Sequence, residues 1–310
     1  MTFYREGWPL SDKPVWMTVG NFDGFHRGHR KSVEQLKHDA KEAGVASVIL
    51  TFWPHPQVYL QNIITPFYLS TLAEKKAELT NTRVDQVAIL KFDDDLASLY
   101  AEGFFAELSR HIDLKGLVVG ENFALGKDRS GSMDVIKRIC DRKKIELKIV
   151  ESELSDGLPI SSGRIRKALG AGDVETAEKF LGRPYSLTGR ITQGMHRGSK
   201  LGFPTANQMP DPMKLLPKWG VYATLASFDG KTRIGATSVG VRPTFEDTKI
   251  PNIETLLLDF DGNIYNEELK VAFKRYLRAE KKFDTTEDLI RQIQLDAKQA
   301  RKLLTNEPSP

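Results

Sequence analysis

The chain has 310 residues, of which 40% are hydrophobic and 28% are charged. This composition is typical of globular proteins and excludes an intrinsically disordered, collagen-like or coiled-coil chain, and the length fits two domains better than one. The 45 Lys and Arg residues against 41 Asp and Glu residues leave a net charge of only +4, which argues against a dedicated nucleic-acid-binding protein because such proteins concentrate basic residues on one surface.

The cysteine count and the hydropathy pattern restrict the cellular setting. Cys140 is the only cysteine, so neither an intramolecular disulfide nor a cysteine-rich zinc site can form. Residues 1–14 include Glu6 and Asp12 and lack the apolar stretch of a signal peptide. Since no apolar run approaches the roughly 18 residues that span a bilayer, we expect a cytoplasmic protein without a membrane partner.

Residues 15–150 alternate between predicted strands and predicted helices. Short apolar runs predict strands at Val15–Gly20, Ala46–Phe52, Gln86–Lys91, Gly116–Gly120 and Glu146–Val150. Apolar residues at helical spacing predict helices at His29–Ala43, Leu72–Leu79, Ala97–His111 and Met133–Asp141. This alternation predicts an α/β domain with a parallel sheet, helices on both faces and a ligand at the carboxyl ends of the strands, near the switch in strand order.

Past Gly182 the pattern changes to short β-rich runs separated by turn residues. The predicted strands are Ser186–Thr192, Val221–Ser227, Arg233–Val239, Ile253–Phe260 and Glu268–Lys274, which indicates an antiparallel barrel or sandwich. Asp284, with Glu287 at capping-box spacing, predicts the start of a last helix that ends near Leu304. The boundary is predicted at Leu181–Tyr185, which gives domains of residues 1–183 and 184–310.

The stretch GNFDGFHRGH, residues 20–29, lies where the first predicted strand meets the first predicted helix. Glycines let the backbone approach a bulky anion, and a helix start favours negative charge. His26 and His29 can stabilise charge on a transferring α-phosphate and a leaving pyrophosphate. The spacing is the HxGH signature of nucleotidyltransferases; the alternative is two surface histidines near a turn. We predict that both histidines are catalytic and that the nucleotide is bound by Gly20, Asn21, Phe22, Asp23 and Gly24.

Three weaker segments of the first half are compatible with the same cleft. His55 lies in the proline-flanked loop FWPHP after the second strand, Asn122 follows a later strand, and Arg129 lies in the basic loop GKDRSG. Each is a candidate to bind the nucleotide or the second substrate. The alternatives are a hydrophobic turn for the first and a solvated loop for the last.

The stretch ISSGRIR, residues 160–166, combines a helix start with two arginines. Ser161 or Ser162 can cap the helix, whose N-terminus favours anions, and Arg164 and Arg166 can donate to a triphosphate. The alternative is an ordinary capped helix with solvated arginines.

The second half contains two further candidate groups. LGFPTAN, residues 201–207, places Thr205 and Asn207 on one side of an extended segment, and such oxygen ligands suit Mg²⁺ with nucleotide phosphates; the alternative is a β-turn. The preceding glycines, Gly198 and Gly202, would let a loop close over the phosphates. Glu254 is a lone carboxylate in an apolar strand and can act as a general base, or it faces solvent. Arg278 and Phe283 are candidates to cover an aromatic ligand.

Together these motifs resemble the bacterial bifunctional riboflavin kinase/FMN adenylyltransferases, also called prokaryotic FAD synthetases, over about residues 10–304. The matching segments are GNFDGFHRGH, FWPHP, GENFALG, ISSGRIR, LGFPTANQ, GVY, GVRPTF and IETLLLDFDGNIY. The resemblance implies a Rossmann-like adenylyltransferase domain followed by a six-stranded flavokinase barrel. It implies riboflavin, FMN, FAD and ATP as substrates and products, Mg²⁺ as cofactor, and small molecules rather than nucleic acids as partners, with the oligomeric state open and a weak homo-oligomer possible.

The resemblance also implies individual roles. His26 and His29 correspond to the α-phosphate ligands, Glu254 to the kinase base, and Thr205 and Asn207 to the Mg-ATP ligands. Asn122 corresponds to a polar residue beside the flavin or nucleotide, and Ser162 and Arg164 fall in the phosphate-binding signature. The residues of the kinase loop that would bind the cofactor are Gly198, Lys200, Gly202 and Pro204, with Lys200 as the cation.

One residue departs from the family pattern: Gly163 stands where the family usually has threonine. A lost hydroxyl and a looser backbone leave open a narrower function, a riboflavin kinase with weak or absent adenylyltransferase activity. Two competing functions are an aminoacyl-tRNA synthetase-like enzyme, whose KMSKS-like signature is missing here, and a flavin-responsive or RNA-binding module, which would need aromatic residues interleaved with basic ones.

Overall fold

The computed structural model describes residues 3–192, 203–242 and 250–305. The chain divides into two compact units, Met1–Ser162 and Gly163–Pro310. Gly198, Lys200 and Gly202, which the sequence analysis assigns to a phosphate-covering loop, lie outside the described residues.

The first unit contains a six-stranded parallel sheet. Its elements are β1 (Phe3–Glu6), β2 (Val15–Val19), α1 (Arg27–Glu42), β3 (Ala46–Trp53), α2 (Pro56–Leu60), α3 (Leu72–Thr80), β4 (Gln86–Lys91), α4 (Asp94–Ser98), α5 (Ala101–Leu108), β5 (Leu114–Gly120), α6 (Met133–Lys143), β6 (Glu146–Val150) and the hairpin β7 (Leu154–Ser155) and β8 (Leu158–Pro159). The strand order is β1-β4-β3-β2-β5-β6. The direction of strand addition changes between β2 and β5, so this is the switch point at which such sheets bind ligands.

Alternating residues of β2 reach both faces of the sheet. Val15, Met17 and Val19 belong to one core cluster, which includes residues of α5 and α6. Trp16 belongs to the cluster on the other face, which includes residues of α1 and α3. The predicted parallel sheet with helices on both faces is therefore confirmed.

The predicted helix Ala97–His111 is wrong in its extent. The structure has two helices there, α4 and α5, because Leu99 is extended, with φ −72° and ψ 125°. The carbonyl of Leu99 accepts a hydrogen bond from the Lys127 N–H at 2.7 Å, and the Ser130 hydroxyl accepts one from the Ala101 N–H at 3.1 Å. A loop distant in sequence therefore satisfies the backbone groups that the interruption exposes.

The second unit begins with two helices and continues into a closed barrel. Its elements are α7 (Ser162–Ala171), α8 (Val174–Leu181), β9 (Tyr185–Thr192), β10 (Thr205–Gln208), β11 (Gly220–Phe228), β12 (Lys231–Arg242), β13 (Ile250–Leu257), β14 (Glu268–Arg278) and α9 (Thr286–Leu304). The barrel order is β10-β13-β12-β11-β14-β9, and neighbouring strands are antiparallel. The expected six-stranded antiparallel barrel with a terminal helix is confirmed.

The barrel strands have a buried inner face and an outer face partly covered by α9. Inside, the hydroxyls of Thr224, Thr237 and Thr255 are linked at 2.7 Å and 3.0 Å. On the outer face, Leu256 packs into the cluster that contains Ala300 of α9. Because strand residues alternate, Asn252 and Glu254 lie on the same outer face as Leu256.

Helix α9 starts one residue later than predicted. Its N-cap is Thr285, whose hydroxyl accepts the Asp288 N–H at 3.2 Å. The prediction of Asp284 as the cap is therefore wrong. The expected pair was Asp284 and Glu287, and the observed pair is Thr285 and Asp288, each shifted by one residue.

The contacts of α8 bear on where the second domain starts. Glu178 of α8 accepts a hydrogen bond at 2.7 Å from Lys274 of β14, and Lys274 is only 9% exposed. Both helices thus group with the barrel, about twenty residues before the predicted boundary at Leu181–Tyr185. The boundary at Leu181–Tyr185 stays a prediction, namely that a fragment starting there folds without α7 and α8.

The indole of Trp16 packs against Gly116 of β5 and leaves no room for a side chain there. Replacing Gly116 should therefore destabilise the first unit. A Cβ there would overlap the Trp16 ring, so we expect Gly116→Ala to lower the free energy of unfolding by about 1–3 kcal/mol. Urea unfolding measures this. Gly120→Ala in the same strand is the matched control, since a Cβ there meets nothing within 4 Å; equal losses in both variants would contradict the packing argument.

The second unit should need α8 for its stability. A fragment from Gly163 to Pro310 keeps the Glu178–Lys274 pair and the buried face of α8, whereas a fragment from Gly182 loses both. We expect the shorter fragment to be less stable by at least about 3 kcal/mol, as measured by urea unfolding. Glu178→Gln in the longer fragment isolates the contribution of the ion pair. Equal stability of the two fragments would favour the boundary at Leu181–Tyr185 instead.

Candidate functional site

The turn after β2 has an uncommon backbone conformation. Phe22, Gly24 and Phe25 have φ of 46°, 78° and 35°, and both phenylalanine side chains are buried. The turn ends at His26, the N-cap of α1, whose Nδ1 accepts the His29 N–H at 3.4 Å. The local sequence thus places both histidines at the start of α1, where the helix dipole favours an anion.

The two imidazoles form a stacked pair. The ring centroids of His26 and His29 are 3.7 Å apart, with 18° between the planes, and Phe22 meets His29 edge-on at 5.1 Å. A Cβ on Gly28 would lie 3.3 Å from the His26 ring, so glycine between the histidines keeps this stack free of crowding. The structure therefore brings the predicted catalytic histidines together at the switch point of the sheet.

His29 is a neutral imidazole at physiological pH. Burial, followed by the charges of His26 and Lys75, holds the pKa of His29 well below its ordinary value of 6.5. Its Nδ1 is buried and has no hydrogen-bond partner within the described part of the chain. A neutral ring carries one N–H donor and one acceptor nitrogen, so His29 can bind a phosphate oxygen without bringing a charge of its own.

Asp23 holds the turn against the loop before α3. Its carboxylate accepts backbone N–H groups from Leu69 at 3.0 Å and Ser70 at 3.1 Å, and its carbonyl accepts the Ser162 hydroxyl at 2.9 Å. The side chain is buried. Asp23 and Ser162 thus fix the shape of the turn, while their direct binding of a nucleotide stays a prediction, as it does for Gly20, Asn21, Phe22 and Gly24.

Lys75 of α3 lies beneath this turn and was not anticipated. It is 1% exposed, and its Nζ donates to the carbonyls of Asn21 at 2.8 Å and Phe52 at 3.4 Å. Burial lowers the pKa of Lys75 from 10.5 to about 8, and the Asp23 carboxylate opposes that change. The charged form is thereby disfavoured by about 3 kcal/mol relative to an exposed lysine. The available signal was its position three residues after Leu72, on the face of the helix that turns toward the core.

The other candidates of the first unit occupy varied positions. His55 is buried and its Nδ1 caps α2 by accepting the Gln57 N–H at 3.0 Å. Asn122 is exposed two residues after β5, the strand that neighbours β2. Arg129 is exposed in a 3-10 turn. His55 therefore has a structural role as a cap, and ligand binding by all three stays a prediction.

The second signature lies at the start of α7. Ser161 precedes the helix and is exposed, and Arg166 is half-buried. The Arg164 guanidinium lies 4.5 Å from the ring centroid of Phe180, and the two residues form a cation–π contact within the second unit. Gly163 is exposed and helical.

A second group of candidate residues lies on the outer face of the barrel. Asn207 of β10 is directly opposite Glu254 of β13, so their side chains share a face. The amide nitrogen of Asn207 is 3.5 Å from the hydroxyl of Thr205, two residues earlier on the same face. Strand register alone thus brings together the predicted base and both predicted metal ligands.

Asn252 orients Glu254 and was missed by the sequence analysis. Its Nδ2 donates to Oε1 of Glu254 at 2.7 Å, and it is 7% exposed. Its Oδ1 is buried and has no partner among the residues that the structure describes. The signal was its spacing of two residues from Glu254, which puts both side chains on one face of a strand.

The remaining candidates follow β14 or precede β10. Arg278 forms a two-pronged ion pair with Asp296 of α9, at 2.9 Å and 2.7 Å, and lies 5.9 Å from the ring centroid of Phe283. Its charge is therefore already paired, and its role and that of Phe283 in covering a ligand stay predictions. Pro204 is exposed just before β10.

Comparisons with known proteins agree across almost the whole chain. The family model described as FAD synthetase matches residues 9–164, and the one described as riboflavin kinase matches residues 181–304. A protein of Listeria monocytogenes named bifunctional riboflavin kinase/FMN adenylyltransferase is 34% identical over 92% of this chain and 91% of its own length. A protein of the same name from Pseudomonas fluorescens is 36% identical over 92% of both chains.

A solved structure also matches over the full length. The crystal structure titled macrolide-efflux protein, from Streptococcus pneumoniae, has a TM-score of 0.85 and 28% identity, and the match covers 96% of each chain. Among the described residues of the present chain, no helix combines the length and hydropathy needed to span a membrane. The family models and the curated relatives show that this chain belongs to the bifunctional riboflavin kinase/FMN adenylyltransferase family.

Proposed function

We propose that this chain makes FMN from riboflavin and ATP in its second unit, and FAD and pyrophosphate from FMN and ATP in its first. The observation that carries the proposal is the stacked pair of His26 and His29 at the start of α1, at the switch point of a parallel sheet. The family membership supports both activities. Incubation with riboflavin, ATP and Mg²⁺, followed by chromatographic separation of the flavins, tests them together, with FMN expected first and FAD after it.

In the adenylyl transfer, a phosphate oxygen of FMN attacks the α-phosphorus of ATP, and the bond to the leaving pyrophosphate breaks. His26 and His29 donate hydrogen bonds to the α-phosphate oxygens, on which charge builds in the transition state. Because burial keeps His29 neutral, it acts as a hydrogen-bond donor, and positive charge comes from its surroundings. The N-terminus of α1 favours the same anionic oxygens.

In the kinase reaction, the 5′-hydroxyl of the ribityl chain attacks the γ-phosphorus of ATP and ADP leaves. Glu254 accepts the hydroxyl proton. The hydrogen bond from Asn252 at 2.7 Å fixes the carboxylate, so that its other oxygen remains available to the substrate. Phosphoryl transfer depends mainly on positioning and charge neutralisation, so orientation counts for more here than basicity.

The residues opposite Glu254 fit a Mg²⁺ ion that arrives with the nucleotide. Thr205 and Asn207 offer neutral oxygen-bearing side chains that lie close together on one strand face. Neutral oxygen donors suit Mg²⁺ when nucleotide phosphates supply the anionic ligands. The ion would neutralise phosphate charge, and Thr205 and Asn207 would hold it beside the base.

Gly163 gives no conformational reason to expect a kinase alone. It is exposed in the first turn of α7, where its backbone is helical, and threonine can adopt that conformation. No observation favours the narrower function of a kinase without adenylyl transfer. Formation of FMN without FAD in the assay above would nevertheless establish it.

Removing one imidazole should abolish one activity and spare the other. We expect His29→Ala to slow FAD formation from FMN by about 10²–10³-fold, because one preorganised donor to the α-phosphate is lost. Steady-state assays with FMN as the flavin measure this. FMN formation from riboflavin in the same variant is the control for folding. FAD formation at the parental rate would refute the role of His29.

The reciprocal change is Glu254→Gln, which keeps the shape of the side chain and removes the base. We expect FMN formation to slow by about 10²-fold, with riboflavin binding preserved in a fluorescence titration. FAD formation from added FMN should continue at the parental rate. A variant that phosphorylates riboflavin as fast as the parent would mean that Glu254 is only a surface carboxylate of β13.

A further inference from the structure

Lys75 is a buried cation that the reactions described above do not use. It lies on the core-facing side of α3, between Leu72 and Leu79, and is 1% exposed. Its ammonium group lies 5.4 Å from the ring centroid of Trp53. A buried ammonium group is costly unless its protons are well accepted, so its partners show what it stabilises.

Lys75 donates hydrogen bonds to backbone carbonyls at the carboxyl ends of β2 and β3, beside the candidate site. Lys75 donates to the carbonyl of Asn21, two residues after the end of β2, and to the carbonyl of Phe52 in β3. The Thr51 hydroxyl also donates to the Asn21 carbonyl, at 3.2 Å. Within the described residues, Lys75 therefore ties together the carboxyl ends of two neighbouring strands at the point where the turn to His26 begins.

The turn needs such support because of its backbone conformation. Phe22 and Phe25 both have positive φ, which for bulky residues costs of the order of 1–3 kcal/mol each by general precedent. Such a conformation persists only when surrounding contacts fix it. The Lys75 and Thr51 donors hold one end of the turn, and the bonds of Asp23 to Leu69 and Ser70 hold its centre.

The charge of Lys75 is not neutralised by a hydrogen-bonded carboxylate in the described part of the chain. The acidic group that opposes the lowering of its pKa is Asp23, whose carboxylate accepts two backbone N–H groups. Glu78, three residues further along α3, accepts a hydrogen bond from Ser70. The positive charge of Lys75 contributes to lowering the pKa of His29 and so to keeping that ring unprotonated.

We propose that Lys75 is a positioning residue for adenylyl transfer: its ammonium group holds the Asn21–Gly24 turn and supplies a fixed positive charge behind His26 and His29. Lys75 does not touch the substrate. Its charge complements the anionic α-phosphate, while the imidazoles of His26 and His29 make the contacts. The inference rests on the proposed adenylyltransferase function.

The first test compares two adjacent lysines in the full-length chain. Lys75→Met removes the buried charge, and Lys76→Met removes a charge on the same helix that pairs with Glu6. We expect Lys75→Met to slow FAD formation from FMN by about 10–100-fold, mainly in kcat, since small displacements of reacting groups have effects of this size. Lys76→Met should match the parent, and both variants should form FMN from riboflavin normally. Equal FAD formation in the two variants would overturn the proposal.

The second test separates the charge from the hydrogen bond. Thr51→Val removes the other donor to the Asn21 carbonyl and leaves the charge in place. In NMR titrations of the histidine rings, the pKa of His29 should rise in Lys75→Met, because a repelling positive charge is gone, and should stay unchanged in Thr51→Val. This readout does not depend on activity. An unchanged His29 pKa in Lys75→Met would remove the electrostatic part of the proposal.

The dependence of FAD formation on pH is a further test, because a lysine with a purely structural role would not change it. Lys75 loses its charge as the pH rises through about 8, so parental FAD formation should decline above that pH. Lys75→Arg keeps the charge, because a guanidinium stays protonated throughout the accessible pH range, and the decline should move to higher pH. Identical alkaline profiles would contradict the proposal even where Lys75→Met folds poorly. If the parent itself makes no FAD, the proposed function fails, and the His29 titrations still decide the electrostatic role of Lys75.

Discussion

The turn from Asn21 to Gly24 keeps its positive-φ conformation because its polar groups are satisfied by residues far away in the sequence. Lys75 and Thr51 donate to the Asn21 carbonyl, Leu69 and Ser70 donate to the Asp23 carboxylate, and Ser162 donates to the Asp23 carbonyl. The orientation of the stacked histidines follows from this turn, since His26, the N-cap of α1, lies only two residues after Gly24. The geometry of the candidate adenylyl-transfer site therefore depends on contacts from several segments of the first unit.

In the barrel, strand register positions the candidate site residues. The linked hydroxyls of Thr224, Thr237 and Thr255 lie inside the barrel, whereas strand alternation places the candidate kinase residues on the outer face. Antiparallel pairing sets Asn207 against Glu254, and a shift of one residue would move either side chain to the inner face. The two candidate sites therefore differ in chemistry: the first combines two imidazoles with a buried lysine, and the second combines an oriented carboxylate with neutral oxygen ligands.

Most of the fold could be predicted from the sequence, because hydrophobic periodicity reports directly on which residues are buried. The apolar runs predicted the five strands β2 to β6, and the later runs separated by turn residues predicted most of the barrel strands. The interruption between α4 and α5 was missed because Leu99 and Tyr100 continue a helical pattern, and only the docking of Lys127 and Ser130 makes the break favourable. The cap of α9 was misplaced for a local reason, since both Asp284 and Thr285 are good caps.

The sequence by itself determined which residues are candidates: the HxGH histidines and the PTAN segment form short patterns whose spacing is meaningful without a fold, and Glu254 is a lone carboxylate in an apolar run. It did not determine Lys75 or Asn252. A lysine in a short helix and an asparagine in a strand are ordinary residues until tertiary packing removes them from water. Burial then obliges their polar atoms to find partners, and the partners they find are the Asn21 carbonyl and the Glu254 carboxylate. Only the tertiary structure decides those pairings. Lys75 and Asn21 are distant in the sequence and meet only when α3 packs against the sheet, and Asn252 and Glu254 bond because the barrel buries Asn252 beside the carboxylate.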